Sequence, residues 1–121
     1  MEASNEVTKT VSPTVTAPRL SEESRRDFAV VIPAFNEAPV VPALISELRD
    51  LFEAHGLLGE VLFVDDGSTD GTGEIAQQEG HDWPQLKILT HRTNLGKTQA
   101  MLTAARETDR TYLVLFDADL Q

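Results

Sequence analysis

Four short strand-forming runs, Phe28–Ile32, Glu60–Val64, Leu86–Thr90 and Tyr112–Phe116, recur along the chain with stretches of helical periodicity between them. Branched and aromatic residues bounded by turn formers are the signature of strands. Strands alternating with helices predict an α/β fold, a Rossmann-like parallel sheet joined by right-handed crossovers. With the first run central, the expected strand order is 3-2-1-4. Tyr112–Phe116 is apolar throughout, which suits a strand buried on both faces, yet that order makes it an edge. An exposed apolar edge invites pairing with another chain, so self-association is expected.

Pro33 is expected to stop the first strand. Ala34–Glu37 then reads as a turn, and Pro39 suits a first helical turn. Val40, Val41, Leu44, Ile45, Leu48, Leu51 and Phe52 follow at helical spacing. Gly56 is placed to close that helix in the left-handed conformation, with His55 beside its negative dipole end. In the loop Gly67–Gly71, Ser68, Thr69 and Asp70 are candidate caps for a helix running to about Glu79. Trp83 reads as a packing anchor. Residues 1–27 mix Ser, Thr, Glu and Pro with few large apolar side chains and are expected to be a disordered tail, in which Ser21–Asp27 can form a frayed helical turn, leaving 28–121 as the folded part.

The formal net charge of -10 disfavours nucleic acid and anionic membrane surfaces as general partners, because both are polyanions. It leaves room for one bound nucleotide, which a metal ion and a few local N–H groups can hold. The absence of cysteine excludes disulfides, thiolate zinc sites and cysteine nucleophiles. No run approaches the roughly 20 apolar residues of a spanning helix, and Met1-Glu2-Ala3 lacks the basic start of a signal peptide. The expected location is the cytoplasm, extending to the cytoplasmic face of a membrane met peripherally or through absent segments.

In open parallel sheets, ligands bind beyond the carboxyl ends of the strands. Glu37 follows the first run, Asp65 and Asp66 the second, Lys97 the third, and Asp117 and Asp119 the fourth, so all fall on one rim. Two carboxylates one residue apart, as in Asp117-Ala118-Asp119, repel each other. A divalent cation that also holds a phosphate would supply the counter-charge, whereas a bare Asp-x-Asp also ends strands at solvated turns. Two other motifs fail. Gly96-Lys97-Thr98 ends like a phosphate-binding P-loop, but His91 stands where that motif needs glycine. Asp66–Gly71 begins like a calcium-binding EF-hand loop, but Gln77 stands where glutamate is needed and a strand precedes it.

Val31-Ile-Pro-Ala-Phe-Asn-Glu37, Val64-Asp-Asp-Gly-Ser-Thr-Asp-Gly-Thr72, Asn94-Leu-Gly-Lys97 and Asp117-Ala-Asp-Leu-Gln121 resemble, in order and spacing, four successive motifs of the family-2 glycosyltransferases. The resemblance covers about residues 28–121 and is nearest to the polyprenyl-phosphate branch, typified by dolichol-phosphate mannose synthase. It implies the GT-A nucleotide-diphospho-sugar transferase fold, here truncated after the fourth strand. The implied activity is metal-dependent, inverting transfer of a sugar from a GDP- or UDP-sugar to a polyprenyl (dolichyl or undecaprenyl) phosphate.

The resemblance also implies roles. Pro33, Ala34, Phe35 and Glu37 would line the nucleotide pocket, with Phe35, commonly tyrosine in the family, against base or ribose. Val64, Asp65 and Asp66 would meet the base and ribose, Gly96 and Lys97 the ribose or diphosphate, and Asp117 and Ala118 the nucleotide sugar. Asp117, Asp119 and Gln121 would be the metal ligands, oxygen donors suited to Mg²⁺ or Mn²⁺ acting as a Lewis acid. Asp70 is expected to matter little to nucleotide binding. Family members continue past the position of Gln121 into an acceptor-binding half, so the general base is expected there and no catalytic residue is assigned in this chain. The chain alone is therefore expected to be marginally stable and to transfer no sugar. Two alternatives stay open: a non-catalytic nucleotide-diphosphate-binding fragment, and another family-2 transferase acting on a saccharide. A nucleotidyltransferase would carry a glycine-rich, basic loop after the first strand, which Pro33-Ala-Phe-Asn-Glu37 is not.

Overall fold

The structure, a computed structural model, describes residues 21–118. Phe28–Ala34 (β1), Glu60–Asp66 (β2), Leu86–His91 (β3) and Tyr112–Leu115 (β4) form a parallel sheet in the order β3-β2-β1-β4, as expected. The helices are Glu22–Arg26 (α1), Val41–His55 (α2), Thr72–Glu79 (α3) and Lys97–Glu107 (α4), with a 3₁₀ turn at Ala38–Val40 leading into α2. Gly56 closes α2 at φ 62°, the left-handed cap its position predicts.

Alternation along the two central strands builds two cores. Val30, Ile32 and Ala34 of β1, with Val61 and Phe63 of β2, pack against Ile45, Leu48 and Phe52 of α2 and Ala76 of α3. Ala29, Val31, Leu62 and Val64 face the other way, onto Ala100 and Ala104 of α4. A sheet covered on both faces has no polar side to its central strands, which is why these runs are apolar throughout. Trp83 is buried edge-on to Phe52, ring centroids 5.4 Å apart, the anchor its sequence context suggests.

Pro33 does not end β1, which continues to Ala34. The amide of Phe116 donates to the Val31 carbonyl, so residues 31 and 33 turn their backbone polar groups toward β4. The next bond of a parallel ladder there would run from residue 33 N–H to the Phe116 carbonyl, and proline has no N–H. Pairing with β4 therefore stops at Val31↔Leu115, while pairing with β2 continues to Ala34↔Asp65. The proline ends one ladder and spares the other.

Two further expectations are modified. β4 is not buried on both faces: Tyr112 is 66% and Leu115 51% exposed. Its edge position decides this, because α2, α3 and α4 cover β1 and β2 and no described element lies beyond it. The helical turn expected near the end of the tail is α1, capped by Ser21, whose hydroxyl accepts from the Ser24 amide, and it is docked rather than frayed. The Arg25 carbonyl accepts from Leu58 N–H at 2.8 Å, and the Asp27 carboxylate accepts from Thr111 N–H at 2.8 Å. These bonds hold α1 against the sheet's amino end.

Phe63 is fully buried in the larger core. Phe63→Ala should lower stability by about 3–5 kcal/mol in urea unfolding, whereas Tyr112→Ala, on the exposed edge, should change it by less than about 1 kcal/mol.

Candidate functional site

In the order β3-β2-β1-β4 the connections reverse direction between β1 and β4, the place where open α/β sheets bind ligands. A cavity of about 250 Å³ opens there, lined by Pro33, Ala34, Phe35, Glu37, Asp66, Lys97 and Asp117. Residues from all four expected motifs thus meet. The Lys97 ammonium lies 2.6 Å from the Asp117 carboxylate, an ion pair across the cavity. Phe35 is 43% exposed on its wall, an aromatic face in reach of solvent.

Asp66 is the buried charge of the site, 4% exposed. Burying a carboxylate is costly unless donors surround it. Here Oδ1 accepts from Leu95 N–H and from His91 Nδ1, both at 2.8 Å, and Oδ2 accepts from Gly96 N–H at 2.9 Å. Burial alone would push the Asp66 carboxyl up; the His91 bond and the two amides outweigh it and hold the group below its ordinary 3.8.

Asp65 points to the opposite face, as neighbours in a strand must. Its Oδ1 accepts from Ser68 N–H at 3.0 Å, and a Cβ on Gly73 would stand 2.3 Å from its Oδ2, so α3 begins directly against this carboxylate. It lines a separate cavity with Gly73, Glu74, Gln77, Ile88 and Thr90. Val64 is fully buried in the α4-side core and Ala118 is buried against the other core. Gly96 enters the site through its amide. Asp119 and Gln121 lie outside the described residues, and among the described residues no three His, Asp or Glu side chains gather as a metal site would require.

A polar latch holds the cavity wall that carries Phe35 and Glu37. Asn36 adopts φ 53°, a left-handed value that asparagine tolerates better than most residues. Its N–H donates to Ser68 Oγ at 2.9 Å, and its Oδ1 accepts from Thr69 N–H at 2.9 Å. Glu37 N–H donates to Thr72 Oγ1 at 2.9 Å and Ala38 N–H to Asp70 Oδ2 at 3.2 Å. Asp70 Oδ1 also accepts from Thr72 N–H and hydroxyl, a bond that holds its carboxyl below the ordinary value. Ser68 and Thr69 do not cap α3, whose N-cap residue is Gly71. Asp70 thereby ties two loops together. Gly67, at φ 80°, lies under the third loop, where a Cβ would meet the Thr93 carbonyl carbon at 2.4 Å.

Sequence reading missed Asn36, Thr72, His91 and Thr103, whose hydroxyl lies 2.8 Å from His91 Nε2. His91 had a detectable signal: it ends β3 in register with Asp66, so aligning strand ends would have paired them. Asp66→Ala would leave two amides and an imidazole without their acceptor and should cost about 3 kcal/mol in chemical denaturation. Because its folded pKa is depressed, Asp66 contributes stability that is fully present above 3.8 and is lost as pH falls through the lower folded-state value. Melts between pH 5 and pH 2 should show that loss in the wild type and a smaller one in Asp66→Asn.

With the geometry in place, comparison with known proteins is specific. The pattern describing Glycosyl transferase family 2 matches residues 29–121. An undecaprenyl-phosphate 4-deoxy-4-formamido-L-arabinose transferase from Salmonella typhimurium is 35% identical over 99 residues, covering 79% of this chain and 30% of that protein. The chain thus spans about a third of the length of the relatives it matches. A mannosyltransferase from Pyrobaculum calidifontis, solved with GDP-Man and Mn²⁺, superposes with a TM-score of 0.63 at 27% identity over 84% of this chain and 30% of its own. A glucosyl-3-phosphoglycerate synthase from Mycobacterium tuberculosis, solved with Mn²⁺, UDP and phosphoglyceric acid, gives 0.64 at 27% identity over 78% of this chain and 34% of its own. The cavity between β1 and β4 therefore sits in a GT-A-type α/β fold, and the chain belongs to glycosyl transferase family 2.

Proposed function

We propose that this chain is the donor-binding part of a transferase that moves a sugar, with inversion, from a nucleotide diphosphate to a polyprenyl phosphate. The observation that carries the reading is the cavity at the β1/β4 reversal, where an aromatic wall, a lysine and a carboxylate converge. Phe35 offers a face on which a base or ribose can rest. Lys97 brings an ammonium to the diphosphate, which competes for it with Asp117. The loop carrying Leu95 and Gly96, bonded to the Asp66 carboxylate, leads directly into Lys97. The 35% identical relative bears the name of an undecaprenyl-phosphate transferase, which supports the lipid acceptor. Such an acceptor would bring the chain to the cytoplasmic face of a membrane; among the described residues no helix is long and apolar enough to cross one.

Asp117, Asp119 and Gln121 are the residues that would hold Mg²⁺ or Mn²⁺. Their oxygen donors suit a hard cation, and two of the solved relatives contain Mn²⁺. Bound there, the ion would neutralise charge on the departing nucleotide diphosphate. The base that activates the acceptor is assigned to none of these residues. The exposed β4 edge is the surface through which the isolated chain would self-associate.

Calorimetric titration with UDP and GDP, with and without Mn²⁺, tests the reading. One of the two should bind with metal, and Asp119→Ala should abolish the metal-dependent part while Asp82→Ala, at the Arg49 ion pair, leaves it unchanged. Lys97→Ala should weaken the diphosphate about tenfold and leave the corresponding nucleoside unaffected. Failure of both nucleotides to bind would overturn the reading. For the edge, light scattering should show association that Leu115→Lys relieves.

A further inference from the structure

We propose that His91 is a positioning residue for the nucleotide cavity: its ring fixes the Asp66 carboxylate, and through it the place where Lys97 stands. The proposal rests on the reading that this cavity takes a nucleotide diphosphate. His91 ends β3 and is buried beside Asp66, its register partner on β2. Nδ1 lies 2.8 Å from Asp66 Oδ1, and Nε2 lies 2.8 Å from Thr103 Oγ1 on α4. The proton can be located by elimination. A bare Nδ1 would set its lone pair against a carboxylate lone pair at 2.8 Å, so Nδ1 carries the hydrogen and donates. In the neutral ring Nε2 is then an acceptor, and the Thr103 hydroxyl donates to it.

The consequence is geometric. A carboxylate turns readily about its Cβ–Cγ bond, and here the imidazole holds that rotation. The two oxygens held in this way receive the amides of Leu95 and Gly96, the residues directly before Lys97. The same ring grips Thr103, so both the loop entering α4 and the body of α4 are referred to one side chain. Lys97, the first residue of α4, lies between those two fixed points, with its ammonium on Asp117. A histidine that merely filled space would need neither bond.

Two substitutions separate these roles, because asparagine places its amide nitrogen near Nδ1 and glutamine places its own near Nε2. His91→Asn keeps a donor for Asp66; His91→Gln keeps a partner for Thr103 and loses the carboxylate. Far-UV circular dichroism first checks that each variant folds. In His91→Gln, amide exchange at Leu95 and Gly96 should speed about tenfold, and the affinity for whichever of GDP and UDP binds the wild type with Mn²⁺ should fall about tenfold. His91→Asn should stay within about threefold of wild type in both. Equal behaviour of the two variants would overturn the proposal, as would faster exchange in His91→Gln with unchanged nucleotide affinity. If the wild type binds neither nucleotide while the exchange contrast holds, the nucleotide reading fails and the control of the loop by His91 stands. Should His91→Gln not fold, Thr103→Val frees the ring from the other side, and unchanged exchange at Leu95 and Gly96 would then overturn the proposal.

Discussion

The carboxylate of Asp66 is the point on which the rim of this sheet depends. It is a charge with almost no access to water, and it is tolerated because donors fixed in the backbone and in His91 reach both its oxygens. The opposite end of the same strand solves a similar problem differently. Glu60, half-buried, gathers Lys87 Nζ at 3.1 Å, the Arg110 guanidinium and the Thr108 hydroxyl, a cluster of long side chains that can rearrange cheaply. Burial pushes the Glu60 carboxyl up, and those partners bring it below its ordinary value. One end of β2 is held by flexible ion pairs. The other is held by rigid amides, as a surface that must present a fixed geometry requires.

Rigidity at the rim extends to its loops. Asn36, Ser68, Thr69, Asp70 and Thr72 bind the first loop to the second, and Gly67 lets the third lie directly over the second. Loops are ordinarily the least ordered parts of a fold. Here they brace one another, so the aromatic wall at Phe35 and the ammonium of Lys97 share one frame.

The fold was legible in the sequence because four strand-forming runs and the helical spacing between them leave little topological freedom, and because Pro39, Gly56 and Trp83 sit where local chemistry requires them. The rim was legible because α/β sheets collect strand ends on one side; Pro33, Ala34, Phe35, Glu37, Asp66, Lys97 and Asp117 do converge. What was not legible depends on contacts between distant residues. That Asp65 and Asp66 part to opposite faces follows from strand alternation only once β2 is known to extend through both. The burial of Asp66, and its need of His91, comes from the register of β3 against β2. The Asn36–Ser68–Asp70 latch spans more than thirty residues of sequence, and no local propensity announces it. Tyr112–Leu115 misled in the other direction: composition describes what a strand prefers to be covered by, and coverage depends on which elements lie beside it.

Pro33 gives the cleft a property that side-chain packing could not. Its nitrogen is bonded to three carbons, so no fluctuation, pH or salt concentration can supply the hydrogen that would zip β1 and β4 one pair further along. The break in hydrogen bonding at that rim is therefore covalent in origin. A cleft kept open by repulsion between carboxylates would narrow on protonation, and one kept open by bulky side chains would breathe with their rotamers. Here the break in the ladder persists for as long as the pyrrolidine ring is intact, whatever the protonation or rotamers of the residues around it.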